Sequence, residues 1–145
     1  MMKMNIKKFN EDAIIPTYGS EFAAGCDLYA CIDLSVVIPP HETKFISTGV
    51  GVEIPEGYAG LIYARSGLAS KRHLAPANKV GVIDADYRGE IMVALHNHSN
   101  LAQSINYGDR IAQLVITPCL KVEFNEVEEL SGTVRGEGGF GSSGR

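Results

Sequence analysis

Along this chain, apolar residues alternate with polar ones, or gather in short runs, between closely spaced Gly and Pro residues. A period of two with that punctuation specifies short β-strands. The runs fall at 4–9, 26–32, 34–38, 44–47, 49–54, 60–64, 104–107, 111–117 and 121–126, and a further pair flanks a polar stretch at 84–89. Pro39 and Pro40 bar a helix and impose a turn. Only 66–73 reads as a helix, and a short one. About ten short strands at this spacing predict an all-β sandwich, jelly roll or barrel.

The segment 78–95 is the most informative. Runs of Val, Ile and Leu enclose Asp84-Ala-Asp-Tyr-Arg-Gly89, which predicts a hairpin with a polar tip. The tip carries two carboxylates, a phenol and a guanidinium. A solvated loop is the plain alternative. The D-x-D-x-x-G opening also suits a calcium loop, but its fifth position is Arg88 and its closing Glu would fall at Leu95.

Past Leu130 the chain changes character. Six of the sixteen glycines lie in 131–145, with no aliphatic residue after Val134. Such a stretch cannot pack a core, so the expected organisation is one domain over 1–130 with a mobile Gly-rich arm over 131–145. Gly136-x-Gly138-x-x-Gly141 matches a dinucleotide fingerprint, but no strand and helix frame it. The same stretch approximates a phosphate-binding loop without its lysine. Either the arm is a disordered terminus, or it closes on a ligand through Arg135 and Phe140.

Composition narrows the function classes. The chain has 145 residues, 45% of them hydrophobic, enough for one packed domain. A net charge of −4 argues against direct nucleic-acid binding, so an anionic ligand needs a local basic site. Three cysteines without a CxxC pair point to reduced thiols and a cytoplasmic setting. No leader-like or membrane-spanning run is present, and no membrane partner is expected.

Several short constellations could carry chemistry. Arg65 precedes Ser66 at the start of the short helix, where a Ser N-cap, free N–H groups and a guanidinium together suit phosphate. A capped surface helix is the alternative. Strict alternation over 108–114 would place Asp109, Ile111 and Gln113 on one strand face, with Arg110 and Ala112 on the other. Asp27, in an apolar strand, must be paired or lie near a metal. His96 and His98 share a strand face, but no third ligand for a metal is nearby. No Ser-His-Asp or Cys-His order is evident.

Five of these stretches, in this order, resemble the trimeric deoxyuridine 5′-triphosphate nucleotidohydrolase (dUTPase) family: AGCDL at 24–28, ARSGLA at 64–69, NKVGVIDADYRGEI at 78–91, GDRIAQL at 108–114 and RGEGGFGSSG at 135–144. The resemblance implies a distorted jelly roll of β-clip type that forms a homotrimer with shared active sites. It implies hydrolysis of dUTP to dUMP and pyrophosphate, with Mg²⁺ held mainly by the substrate phosphates and Asp27 acting through water. Asp84 would deprotonate the water that attacks the α-phosphorus, and would contact the sugar 3′-hydroxyl. Asn78 and the backbone of Val82, Ile83 and Asp84 would read the uracil edge. Tyr87 would pack against the deoxyribose and exclude a ribose, and Met92 would be a peripheral contact. Arg65, Ser66 and Gly67 would hold phosphate oxygens with support from Gln113. Arg135 would reach the γ-phosphate, with Phe140 and its neighbour Gly141 closing over the substrate. Within the same fold the rival is a dCTP deaminase-like homologue, and outside it a non-catalytic nucleotide-binding regulatory trimer. The D-x-D-Y pattern at 84–87, with the tail retained, favours hydrolysis over both.

Overall fold

The computed structural model describes residues 2–139. Among them the chain forms β1 (Asn5–Lys8), β2 (Thr17–Tyr18), β3 (Cys26–Tyr29), β4 (Val36–Ile38), β5 (Thr43–Ser47), β6 (Val50–Glu53) and β7 (Tyr58–Tyr63). The helix α1 (Ser66–Arg72) follows, then β8 (Leu74–Pro76), β9 (Gly81–Ile83), β10 (Met92–Asn97), β11 (Gln103–Ile105) and β12 (Arg110–Pro118). A five-stranded sheet runs β2-β3-β12-β7-β9 and a three-stranded one β5-β10-β8, with two-stranded ribbons β1-β6 and β4-β11. The result is an all-β distorted jelly roll with one short helix.

The core forms where these sheets face each other. In β10, Val93, Leu95 and Asn97 are buried while Met92, Ala94 and His96 lie outward or half-buried, the expected period of two. Leu28, Ile38, Ile46, Leu74, Ile91, Ile105, Ile111 and Leu114 complete the same cluster. Each such aliphatic side chain contributes about 1.5–3 kcal/mol on leaving water. Asn97 is the polar exception, and it is satisfied. Its Nδ2 donates to Ile38 O at 2.9 Å and Leu101 O at 2.8 Å, and its Oδ1 accepts from Ser99 N at 2.9 Å. Pro76 sits in β8, an edge strand, where a missing N–H costs least.

Four expectations need correction. The apolar runs around 84–89 do not pair as a hairpin: β9 pairs with β7, whereas β10 pairs with β5 and β8. The polar stretch is therefore a bridge between two sheets. Residues 121–126 form no strand, and Val122 and Phe124 are exposed: among the described residues no strand pairs with them. Arg65, not Ser66, occupies the helix N-cap position, and it makes no side-chain cap. Finally, β12 is irregular between Arg110 and Ala112. Ile111 and Ala112 are consequently both fully buried, and strict alternation fails there.

Candidate active site

Asp27 is the centre of the first group of side chains. It sits in β3 between Thr17 and Gln113 of the flanking strands, and it is buried. A buried carboxylate must be paired, and this one is paired twice. Arg65 Nε donates to Asp27 Oδ1 at 2.6 Å, and Arg110 Nη1 to Oδ2 at 3.3 Å. Gln113 Nε2 donates to Ala64 O at 2.9 Å, which fixes the chain one residue before Arg65. Gly25 makes this packing possible: a Cβ there would come within 2.8 Å of Gln113 Oε1.

Ser66 and Gly67 lie exposed on the first turn of α1. A Cβ on Gly67 would meet no atom within 4 Å, so the space beside this residue is open. The main-chain N–H groups of a first helical turn have no intrahelical partner.

The second group runs along β9 and out of the sheet. Lys79, at φ 64°, makes the left-handed turn that leads into β9, with Asn78 exposed beside it. Because β9 is an edge strand, one side of its backbone is unused by the ladder. Val82 is exposed and Ile83 half-buried. Asp84 leaves the strand end with its carboxylate exposed, and Tyr87 N donates back to Asp84 O at 3.1 Å. Tyr87 Oη donates to Glu90 O at 2.8 Å. Arg88 Nη1 donates to Ala85 O at 2.7 Å and Tyr87 O at 3.1 Å, holding the turn from its other side. Met92 lies at the start of β10, exposed and in register with Ser47 in the other sheet.

Within one chain, then, Asp27, Arg65 and Gln113 are brought together, and Asn78, Val82, Ile83, Asp84 and Tyr87 form a separate row. Among the described residues no hydrogen bond or ion pair joins Asp84 or Tyr87 to the Asp27 group. Arg135 lies in the exposed tail, where its Nε donates to Gly138 O at 2.7 Å. Phe140 and Gly141 lie outside the described residues. Sequence reasoning missed Arg110 as a partner of Asp27. The signal was its place in β12 three residues before Gln113, hidden by the irregular register.

Other groups are poor candidates for chemistry. Burial pushes the Cys26 and Cys31 thiols up from their ordinary value, and a raised thiol is a weak nucleophile. His96 and His98 stack edge to face with ring centroids 4.6 Å apart. Partial desolvation, and then the neighbouring His96, lower the exposed His98 from its ordinary value.

An exposed carboxylate on a hydrogen-bonded turn, a free strand edge and a separate guanidinium cluster are features of a class of site suited to an anionic ligand. Comparison with known proteins makes the class specific. The dUTPase family model matches residues 11–144. The deoxyuridine 5′-triphosphate nucleotidohydrolase of Hydrogenobaculum sp. (strain Y04AAS1) is 52% identical over 143 residues, 99% of each chain. The Staphylococcus bacteriophage 80alpha dUTPase, solved with dUPNHPP, matches at TM-score 0.91 and 34% identity, covering 100% of both chains. A mutant DUTPase from phage phi11 of S. aureus, described with a structural Mg(II) ion, matches at TM-score 0.78 and 32% identity, covering 88% of this chain and 98% of that one. The chain belongs to the dUTPase family.

Proposed function

We propose that this protein is a dUTP diphosphatase, hydrolysing dUTP to dUMP and pyrophosphate. Such an activity limits uracil incorporation into DNA and supplies dUMP for dTTP synthesis. The observation that carries the reading is Asp84, an exposed carboxylate at the end of an edge strand whose backbone is free to meet a base. Asn78 and the backbone of Val82, Ile83 and Asp84 read the uracil edge, and Tyr87 packs against the deoxyribose. Asp84 also reaches the 3′-hydroxyl, which sets its carboxylate beside the α-phosphate.

In the chemical step Asp84 takes a proton from a bound water. The water oxygen bonds to the α-phosphorus as the bridging oxygen to the β-phosphorus departs with pyrophosphate. Charge on the phosphates is met by Arg65 and by the Ser66 and Gly67 turn, with Gln113 fixing the strand end behind them. Met92 is a peripheral contact, and Arg135, Phe140 and Gly141 come from the C-terminal arm to cover the substrate. Alignment of one water by one fixed carboxylate is the main catalytic device.

Mg²⁺ fits as a cation brought mostly by the substrate. Among the described residues no three His, Cys, Asp or Glu side chains converge as an all-protein cage. Both oxygens of Asp27 already accept from guanidiniums, which suits a carboxylate that would hold the ion through water. Bound there, Mg²⁺ supplies charge neutralisation to the triphosphate.

The working unit in this reading is a homotrimer whose sites draw on several subunits. Support comes from the separation of the Asp27 and Asp84 groups within one chain, and from Leu120, Phe124 and Leu130, which are exposed on a segment without a sheet partner. Light scattering showing a fully active monomer would remove this part. No helix among the described residues is long and apolar enough to cross a membrane. Three free cysteines fit a reducing compartment, and we place the enzyme in the cytoplasm.

The test is a pyrophosphate-release panel with dUTP, UTP, dCTP and dTTP, each with and without Mg²⁺. Mg²⁺-stimulated release from dUTP, far above the other three, is expected. Equal release from all four, or none, overturns the assignment.

A further inference from the structure

Tyr87 is not held by its own turn alone. The phenol end of its ring lies against Gly89: a Cβ on that glycine would come within 2.4 Å of the phenol oxygen and 2.6 Å of the ring carbon bearing it. Gly89 in turn rests on β6, where a Cβ on Gly51 would approach Gly89 O to 2.5 Å. Strand, glycine and ring are thus stacked without room for side chains between them. The phenol then donates to Glu90 O at 2.8 Å, so the position of Glu90 fixes where the ring ends.

Glu90 is itself anchored. Its Oε1 accepts from Gly49 N at 2.7 Å, in the connection from β5 to β6, and from Ser47 Oγ at the end of β5. Gly49 can offer that N–H because it adopts φ +67°, and any Cβ there would strike Ala13 and Cys31. Next in the chain, Ile91 N donates to Val50 O at 2.8 Å, and Thr48 Oγ1 donates to Ile91 O at 2.7 Å. Glu90 is half-buried, and its carboxylate is directed at the end of β5 and this connection. The hydrogen bonds of its carboxylate go to Ser47 and Gly49, and neither is among the residues assigned to substrate.

We propose that Glu90 is a positioning residue for sugar selectivity: its carboxylate, pinned by Ser47 Oγ and Gly49 N–H, fixes the carbonyl that holds the Tyr87 ring against Gly89, and so sets the discrimination between 2′-deoxy and 2′-hydroxy nucleotides. The proposal rests on the reading that the Tyr87 ring packs against the sugar. A ring restrained at its phenol end cannot tilt away to admit an extra hydroxyl. A ring released there can.

The experiment measures kcat/KM for dUTP and UTP, with melting temperature and particle mass for each variant. Glu90→Ala removes the anchor, and the dUTP-to-UTP ratio should fall by roughly three- to tenfold, the effect of losing one or two hydrogen bonds. Glu90→Gln keeps an acceptor oxygen at the same place and should restore the ratio. Tyr87→Phe, which deletes only the phenol oxygen, should match Glu90→Ala, and the double variant should fall no further. Should Glu90→Ala fail to fold, Ser47→Ala removes one anchoring donor and should shift the ratio in the same direction. A folded Glu90→Ala or Tyr87→Phe protein with the parent ratio overturns the proposal, as does an additive double variant. Tyr87→Ala separates the two layers. If it lowers the ratio and Glu90→Ala does not, only the role of Glu90 fails. If Tyr87→Ala leaves the ratio unchanged, the sugar-packing reading fails as well.

Discussion

Asp27 Oδ1 and Arg65 Nε stand 2.6 Å apart, so the guanidinium best placed for phosphate is already engaged by a carboxylate. Arg110 shares that carboxylate from the other side at 3.3 Å. Removing Arg110 leaves Asp27 to Arg65 alone, which strengthens the pair and withdraws Arg65 from a phosphate. The Arg110 side chain is 51% exposed, so solvent screening keeps the effect small, about 1 kcal/mol. Arg110→Ala should therefore raise KM for dUTP roughly fivefold, with a smaller change in kcat. Steady-state kinetics checks this, and an unchanged KM would mean that Arg110 does not govern Arg65.

Asp84→Asn tests the general base. The amide is nearly isosteric with the carboxylate, and the residue is exposed, so the fold and nucleotide binding should survive. Its proton-accepting capacity does not. Turnover should drop by roughly 10²–10⁴-fold with KM little changed, the range for one positioned acid or base. Single-turnover kinetics at saturating dUTP gives the number directly, and near-normal turnover would assign the base elsewhere.

How much of this was legible beforehand depends on what each residue answers to. Val93 and Leu95 answer to local alternation, and β10 is readable from the sequence. Ser66 to Arg72 is readable as a helix, but its cap is not, since Ser66 looks like an N-cap and Arg65 takes the place. Partner choice is not local at all. The runs around Asp84 look like one hairpin, yet Ile83 pairs with Gly60 and Met92 with Ser47, in different sheets. Val122 and Phe124 alternate like a strand and find no strand partner among the described residues. Arg110 was hidden for a third reason: the register shift in β12 defeats a strict period of two. Asp84, by contrast, could be named in advance because its motif is local and exposed.

The thiols offer a check on the core. Cys26 and Cys31 are buried and Cys119 is exposed. Burial raises the first two above their ordinary value, so the fold favours their neutral form. The stability this gives is complete below the unfolded thiol value and is lost as pH rises through the raised one. Near neutral pH a chromogenic disulfide reagent should therefore titrate one thiol per native chain, Cys119, and all three after denaturation. Rapid reaction of Cys26 or Cys31 in the native state would mean that β3 and its flanking loop open readily.

The tail separates two readings of the same residues most cleanly. Residues 131–137 are exposed, and 138–139 are half-buried only against their own turn, where Arg135 Nε bonds Gly138 O. Ending the chain after Leu130 removes no residue of the buried core, so melting temperature and particle mass should barely move. If the arm carries Arg135 to the γ-phosphate and Phe140 over the base, its loss takes away one preorganised charge and the cover that excludes bulk water. Turnover should then fall by about 10²-fold or more, the scale of a lost transition-state contact. Binding should persist in part, because Asn78, Arg65 and Ser66 all remain. In the full-length chain Arg135→Ala and Phe140→Ala should each reproduce a share of the deficit, the first chiefly for the triphosphate. dUTP hydrolysis at the full-length rate by the shortened protein would make residues 131–145 a passive terminus.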